Sequence, residues 1–551
     1  MATRNNKYIQ TLSVTLWGVT IGTLQWNPRN GISLFWFSPD YFKENYDIAP
    51  ITHPKSTESP AIAIYGLKEP KIYQGLPPFL ADSLPDRWGN AVFDQWFKDE
   101  GLHEKDKTPL TKLAFIGKRA MGALEFHPVL DSGFYDNDLV NIDKLYEQAK
   151  LIEEQFAGKS IPPGEPLTRR ALTAIGTSAG GRQMKAIIAI APDGSIHSGQ
   201  TGANPEYEHC LIKFNTPEHA LSETEMTYFQ MARQCGITIM DSRLIEVEGV
   251  RHFLTRRFDR KDGKKLFMQT LAAVNPDAHS YEELFRTCRE LEIPKPEIDE
   301  LFRRAVFNVL TNNTDDHEKN FSFLMSQNGT WHLAPAYDLT FIIATNGVEA
   351  ETRHCMSIGG KFDDISIDDL IRLGHDNSVR NPEEVVASVI KGTANFEALA
   401  NANGVDSYHF ELISQRLREL RGTAPETSTF SFVSEDGYDI SQIRFERTIK
   451  GNIHLLATVN GRKEKFVITP KREVYQAILD AGFNKMPNEQ KKALVEQYLL
   501  EKIRKKIINY STSLTSRTEL ASPKWPSVET HQLPPAMAMR QSLDAPTVEE
   551  A

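Results

Sequence analysis

Thr314-Asp315-Asp316-His317-Glu318-Lys319-Asn320-Phe321 lies between two stretches of different periodicity, and its reading decides the fold. Before it, Leu301, Val306, Phe307 and Leu310 recur at helical spacing. After it, Phe321 to Met325 reads as a short strand and Ser326-Gln327-Asn328-Gly329 as a turn. Thr330 to Ala334 reads as a second strand running into Ala336-Tyr337-Asp338. Asp315 and Asn320 have the D-x-x-x-x-N spacing of a phosphotransferase loop. There the Asp accepts the proton of an attacking hydroxyl and the Asn holds a metal ion. Asp338, after the hairpin, is placed to be a second oxygen ligand, and an all-oxygen set with phosphates suits Mg²⁺. His317 is expected to brace this loop by hydrogen bonds, the alternative being a satisfied core histidine. His317, His332 and His354 have no zinc-type spacing.

Upstream, Lys213 sits in the apolar run Leu211-Ile212-Lys213-Phe214. A lysine there needs an anionic partner if it is buried. Glu225, near the start of the next helix, is the candidate carboxylate, and ATP phosphates are the candidate ligand. Ser222 is read as the N-cap of that helix, with Glu225 three residues on completing a capping box. The run Gly176-Thr177-Ser178-Ala179-Gly180-Gly181 is a glycine loop, whose backbone N–H groups can approach phosphates closely. The same run fits the G-x-S-x-G elbow of serine hydrolases, with Ser178 as nucleophile. That elbow requires a following helix, whereas Ala186 to Ala191 reads as a strand. A third reading is a kinase-like scaffold that binds nucleotide or a partner without chemistry.

Composition sets the outer limits. The 551 residues are too many for one ordinary core, so several domains are expected. Forty per cent are hydrophobic, 25% are charged, and mean hydropathy is −0.40, as in soluble globular proteins. No apolar run approaches the roughly 20 residues needed to span a bilayer. No secretory signal is read at the polar N-terminus. The expectation is a cytoplasmic protein with no membrane partner. Four scattered cysteines give neither a zinc site nor a disulfide framework. A net charge of −10 argues against a generally nucleic-acid-binding surface.

The pattern divides the chain into a mixed N-terminal subdomain (1–130), a β-rich nucleotide lobe (131–262) and a helical catalytic lobe (263–425). An α/β extension (426–510) follows, with Asn460-Gly461 as a hairpin turn and a helix over 486–509. The Ser-, Thr- and Pro-rich tail (511–551) reads as disordered. The fold class is α+β, bilobal, with the nucleotide in the cleft between lobes.

Several blocks resemble the HipA family of bacterial serine/threonine kinases, the toxins of type II toxin–antitoxin pairs, over residues 10–421. They are Gly22-Thr23-Leu24, Phe79 to Asp86, Met121 to Leu124, Ser178 to Gly181 with Lys185, Leu254 to Arg260, Thr314 to Ser322 and Ala334 to Asp338. The resemblance implies a protein-kinase-like fold and ATP- and Mg²⁺-dependent transfer to a protein, with translation components such as aminoacyl-tRNA synthetases as targets. It implies Asp315 as base, Asn320 and Asp338 as Mg²⁺ ligands and Lys213 on the ATP phosphates. It places Arg256, Arg257 and Phe258 against adenine, partly through backbone groups. Thr177 and Ser178, with Gly180 and Gly181, match the loop in which many members autophosphorylate. A phosphate there adds about two negative charges where ATP phosphates must sit. Arg256 stands where other members carry an acidic residue. No helix-turn-helix is read in this chain, so a DNA-binding antitoxin is expected to be a separate protein, and DNA only an indirect partner.

Overall fold

The computed structural model describes residues 9–56, 63–68, 71–130, 139–156, 183–200, 204–216, 221–344, 349–421, 432–433, 439–449, 452–459, 462–468 and 495–500. The chain forms two compact units, 1–427 and 428–551. The fold is mixed α and β, as the sequence pattern predicts.

The first unit opens with an antiparallel sheet of strands β1 (Thr11–Leu16), β2 (Val19–Asn27), β3 (Ile32–Phe37), β4 (Ala63–Tyr65) and β5 (Leu124–His127), in the order β4-β3-β2-β1-β5. The expected hairpin turns at Trp17 (φ 51°) and Gly18 (φ 85°), two left-handed residues that match the twist of the flanking strands. Leu12, Val14 and Leu16 alternate inward and are fully buried. Asp86 caps the helix Arg87–Asp99, its carboxylate accepting from Gly89 N at 2.5 Å. Val92, Phe93, Trp96 and Phe97 on that helix are buried, as their spacing predicts.

A second antiparallel sheet follows, made of β6 (Lys185–Ile190), β7 (Ile196–Ser198), β8 (Glu208–Lys213), β9 (Ser242–Val247) and β10 (Val250–Arg256), in the order β7-β6-β8-β10-β9. At its β8 end Lys213 lies in register with Lys185 on one neighbour and Phe253 on the other. The helix Leu221–Gln234 packs on this sheet. One expectation fails here. The helix begins at Leu221, so Ser222 lies inside it, fully buried, and is not the N-cap. Glu225 closes no capping box, because its carboxylate is drawn to Lys213. A buried ammonium has more to gain from that carboxylate than an end amide has.

From residue 281 the chain is mainly helical: Tyr281–Glu290, Lys295–Thr311, Ile367–Asp376, Pro382–Thr393, Phe396–Asn403 and Ser407–Leu420. A small sheet interrupts it. Here β13 (Phe267–Thr270), β14 (Ser322–Met325) and β15 (Trp331–Leu333) follow a minor ribbon of β11 (Arg260–Lys261) and β12 (Lys264–Lys265). The helix Lys295–Thr311 buries Leu301, Val306, Phe307 and Leu310 and stops at Asn312, which is left-handed (φ 58°, ψ 38°). That stop turns the chain into the loop carrying Asp315.

Two cores hold this unit together. One runs from the N-terminal sheet through the β13–β15 sheet into the helical lobe. The other lies against the nucleotide sheet and includes Trp88, Val92, Tyr146, Met184, Ile188, Ile212, Phe214 and Leu254. Each fully buried large apolar side chain contributes about 1.5–3 kcal/mol. Polar stitches cross between segments. Trp17 Nε1 donates to Lys265 O (2.9 Å) and Tyr73 OH to Ala272 O (2.8 Å). Asp82 accepts from Thr270 N (2.8 Å) and Oγ1 (2.7 Å), and Asp259 accepts from Gly122 N (2.7 Å).

In the second unit β16 (Phe432–Val433), β17 (Asp439–Ile449), β18 (Asn452–Val459) and β19 (Arg462–Ile468) form an antiparallel sheet in sequence order. Val459 pairs with Arg462. The Asn460-Gly461 turn itself lies outside the described residues. Of the helix expected over 486–509, the described part is the wide turn Val495–Leu499. The tail 511–551 lies outside the described residues. Among the described residues no helix is long and apolar enough to cross a membrane.

Candidate active site

Two carboxylates, 12 and 125 residues away in sequence, meet at Lys213. Its buried ammonium contacts both Glu225 Oε1, from the helix packed on the sheet, and Asp338 Oδ1, from the segment after β15. Asp338 is held left-handed (φ 55°), a conformation Asp tolerates better than most residues. One ammonium against two carboxylates leaves the trio with one excess negative charge. Burial alone would lower the Lys213 pKa, but Asp338 and Glu225 outweigh it and hold the ammonium above the ordinary lysine range. Glu225 is raised by burial and by the nearby Asp338, against the pull of Lys213. Asp338 is lowered: burial opposes, but Lys213, then Lys185 and His317, favour its charged form. Lys185 is itself fixed from the N-terminal sheet domain, its Nζ 2.8 Å from Asp86 Oδ2 and its carbonyl accepting from Trp88 Nε1 at 3.0 Å.

The loop after helix Lys295–Thr311 assigns different positions to its two aspartates. Asp316 is 1% exposed and accepts four donors: Tyr281 OH (2.7 Å) and His354 Nδ1 (2.8 Å) on Oδ2, with Cys355 N (2.8 Å) and Met356 N (3.4 Å) on Oδ1. Behind it Asn308 Nδ2 donates to Tyr281 OH (3.0 Å), and Asn313 Nδ2 to Asn308 Oδ1 (2.9 Å). Asp315 is the exposed member, its side chain 54% accessible. Its carbonyl accepts from Asn320 Nδ2 at 2.7 Å. His317 caps the short turn Glu318–Asn320, Nδ1 accepting from Lys319 N (3.2 Å), and its Nε2 lies 3.8 Å from Asp315 Oδ1. Tyr337 joins the two halves of the site. Its hydroxyl donates to Lys319 O (2.7 Å) and accepts from Ser322 Oγ (2.5 Å), one residue before Asp338.

Lys213, Glu225, Asp338, Asp315, His317 and Asn320 therefore share one region. The connecting segment is less uniform. Phe258 packs its ring on Tyr337, centroids 5.5 Å apart. Arg256 is exposed and lies 3.9 Å from Glu208 Oε1. The Arg257 side chain is not free for a ligand. It is buried and paired with Asp259 at 2.9 and 2.8 Å, where Arg260 also lands at 2.8 Å. Thr177, Ser178, Gly180 and Gly181 lie outside the described residues. Asp316, Tyr281, Asn308 and Asn313 are structural members that the pattern did not single out, and His354, weighed there only for zinc-type spacing, is a hydrogen-bond partner of Asp316. The Asp315-Asp316 doublet was the one available signal, and nothing in its spacing tells which Asp is buried.

Residues 12–127 match the HipA N-terminal domain, and residues 177–400 match the HipA-like C-terminal domain. The chain belongs to the HipA family. The HipA of a Shewanella oneidensis toxin–antitoxin complex, solved with HipB and operator DNA, superposes with a TM-score of 0.51 at 16% identity. The match covers 75% of this chain and 96% of that one, and it shows a shared HipA fold. A Sinorhizobium fredii protein provisionally named as a kinase, Y4dM, is 23% identical over 354 residues, 60% of this chain and 77% of that protein. A Haemophilus influenzae protein, also provisionally named as a kinase, is 26% identical over 142 residues, 22% of this chain and 41% of that protein.

Proposed function

We propose that this chain is an ATP- and Mg²⁺-dependent serine/threonine protein kinase. The observation that carries the reading is Lys213, buried between Glu225 and Asp338, with the exposed Asp315 on the loop whose His317 acts on Asp338. A lysine so placed is oriented by one carboxylate and ready to exchange the other for phosphate oxygens. The residues fit a divalent cation. Asn320 Oδ1 and Asp338 Oδ2 accept no hydrogen bond from other described residues, and the Lys213 trio carries one excess negative charge. Both ligands are hard oxygens, as Mg²⁺ prefers. Bound ATP with Mg²⁺ supplies the transferable phosphoryl group and neutralises its charge.

In this reading Asp315 accepts the proton of the attacking hydroxyl. Asp316 cannot share that role, because its oxygens are occupied by four donors. His317 limits the freedom of Asp315. Phe258 borders the adenine side, with backbone groups of 256–258. Thr177 or Ser178 is the proposed autophosphorylation site. The physiological acceptor is a bacterial protein, with a translation component as the first class to try. The HipB partner of the Shewanella protein suggests a separate antitoxin here, with DNA reached only through it.

The test is incubation of the purified chain with labelled ATP and Mg²⁺, beside Asp315→Asn, followed by mass mapping. Label on Thr177 or Ser178 in the wild type and none in the variant is the expected result. Equal labelling of both proteins would remove Asp315 from the mechanism. Absence of ATP binding by an unphosphorylated sample would remove the kinase reading.

A further inference from the structure

The segment 349–359 follows Asp338 in sequence and is pinned at short intervals to the Asp315 loop and to the start of helix Tyr281–Glu290. Asn312 Nδ2 donates to Glu351 O (2.7 Å), and Cys355 N donates to both Thr314 O (3.1 Å) and Asp316 Oδ1 (2.8 Å). Tyr281 N donates to Ser357 O (3.0 Å), and Gly359 N to Glu282 Oε1 (2.7 Å). Within it His354 and Met356 are buried, and Cys355 between them is exposed. The Cys355 thiol stands 3.9 Å from Asp315 Oδ1, and His317 Nε2 stands 3.8 Å from the same oxygen. The carboxylate of Asp315 is thus bordered by a thiol carried on one segment and an imidazole carried on its own.

We propose that His354-Cys355-Met356, fixed on Asp316, is one wall of the phosphoacceptor site, and that Cys355 is the side chain an incoming hydroxyl must pass to reach Asp315. The proposal rests on the kinase reading above. A hydroxyl that gives its proton to Asp315 must approach within hydrogen-bond distance of that carboxylate. Bulk at Cys355 then competes with the acceptor for the same space. The wall cannot swing aside, because its backbone is hydrogen-bonded on both sides of residue 355. A small side chain at this position admits a serine or threonine presented on a protein surface, and a large one excludes it.

Chemistry gives a direct test, because the chain has four cysteines and Cys210, Cys235 and Cys288 are buried. N-ethylmaleimide on the native full-length protein is expected to add one group, on Cys355. The modified protein should bind ATP with an affinity within about threefold of the unmodified protein, while transfer to dephosphorylated casein falls at least tenfold. Cys355→Trp should show the same split. In Cys355→Ser the reagent should add nothing and change nothing. Transfer at the unmodified rate by the alkylated protein overturns the proposal.

A second measurement needs no kinase activity. Burial first, and then the charges of Asp315, Asp316 and Glu318, push the Cys355 thiol up to about 12. Removing the Asp315 charge should therefore ease thiolate formation, and Asp315→Asn should speed alkylation of Cys355 at pH 8. An unchanged rate means the two groups are not neighbours in solution and also overturns the proposal. A faster rate, with no ATP binding by the unphosphorylated protein, overturns the kinase reading instead, and the acceptor wall falls with it.

Discussion

Replacing Lys213 with Met removes the ammonium from between two carboxylates. Both carboxylate oxygens contact one nitrogen, so they lie within about 5 Å of each other, and their repulsion at an effective dielectric of 20 is about 3 kcal/mol. Breaking a buried pair by removing one partner typically costs about 3–5 kcal/mol, and the two figures agree. Lys213→Met should therefore lose about 3–4 kcal/mol at pH 7. Glu225, already raised by burial, is the group that takes a proton to relieve the strain, so the loss should shrink as pH falls. The double variant Lys213→Met/Glu225→Gln should recover most of the stability at pH 7, because one carboxylate of the clashing pair is gone. Neither variant should transfer phosphate. Urea unfolding in EDTA, followed by tryptophan fluorescence, measures these quantities without bound Mg²⁺. A double variant no more stable than the single one would refute the reasoning, since the loss would then not come from carboxylate repulsion.

Tyr281→Phe deprives Asp316 of one donor and Asn308 Nδ2 of its acceptor in a buried site, so about 2–3 kcal/mol should be lost. A change in urea stability under 0.5 kcal/mol would show that the network is not what holds the loop. His252 is buried with a pKa lowered to about 4 by desolvation, and its Nδ1 accepts from Asn215 N at 2.9 Å. A histidine held neutral contributes fully above the unfolded value near 6.5, and its contribution fades as pH drops to about 4. The wild type should lose about 3 kcal/mol across that window relative to His252→Gln, and parallel stability-versus-pH curves would contradict this. Asp259→Asn leaves the buried Arg257 and Arg260 guanidinium groups without their shared charge. A destabilisation of about 3–5 kcal/mol is expected in the same unfolding assay.

The sequence carried the local placement of the candidate-site side chains well. Loop spacing placed Asp315 and Asn320, periodicity placed the helix before them, and an apolar strand containing Lys213 announced a buried charge. What pattern could not supply was pairing over long sequence distance. Asp316 and His354 are 38 residues apart and Tyr281 and Asp316 are 35 apart, so no local period links them. The Ser222 cap failed for a related reason. Its local signal was sound, but the helix begins at Leu221 and Lys213 on the preceding strand claims Glu225. The resemblance set Arg257 against adenine, partly through backbone groups, and Asp259 two residues on holds its guanidinium.

The polar stitches at Trp17, Tyr73, Asp82 and Gly122 have a practical meaning for anyone cutting this chain into pieces. Their partners lie between Asp259 and Ala272, and the apolar core beneath them continues into the helical lobe. An expression fragment beginning after residue 130 would expose that shared apolar surface and leave Asp259 without one of its donors. The N-terminal segment thus shares one apolar core with the helical lobe, and a fragment meant to keep that core must keep the chain from its first strand onward.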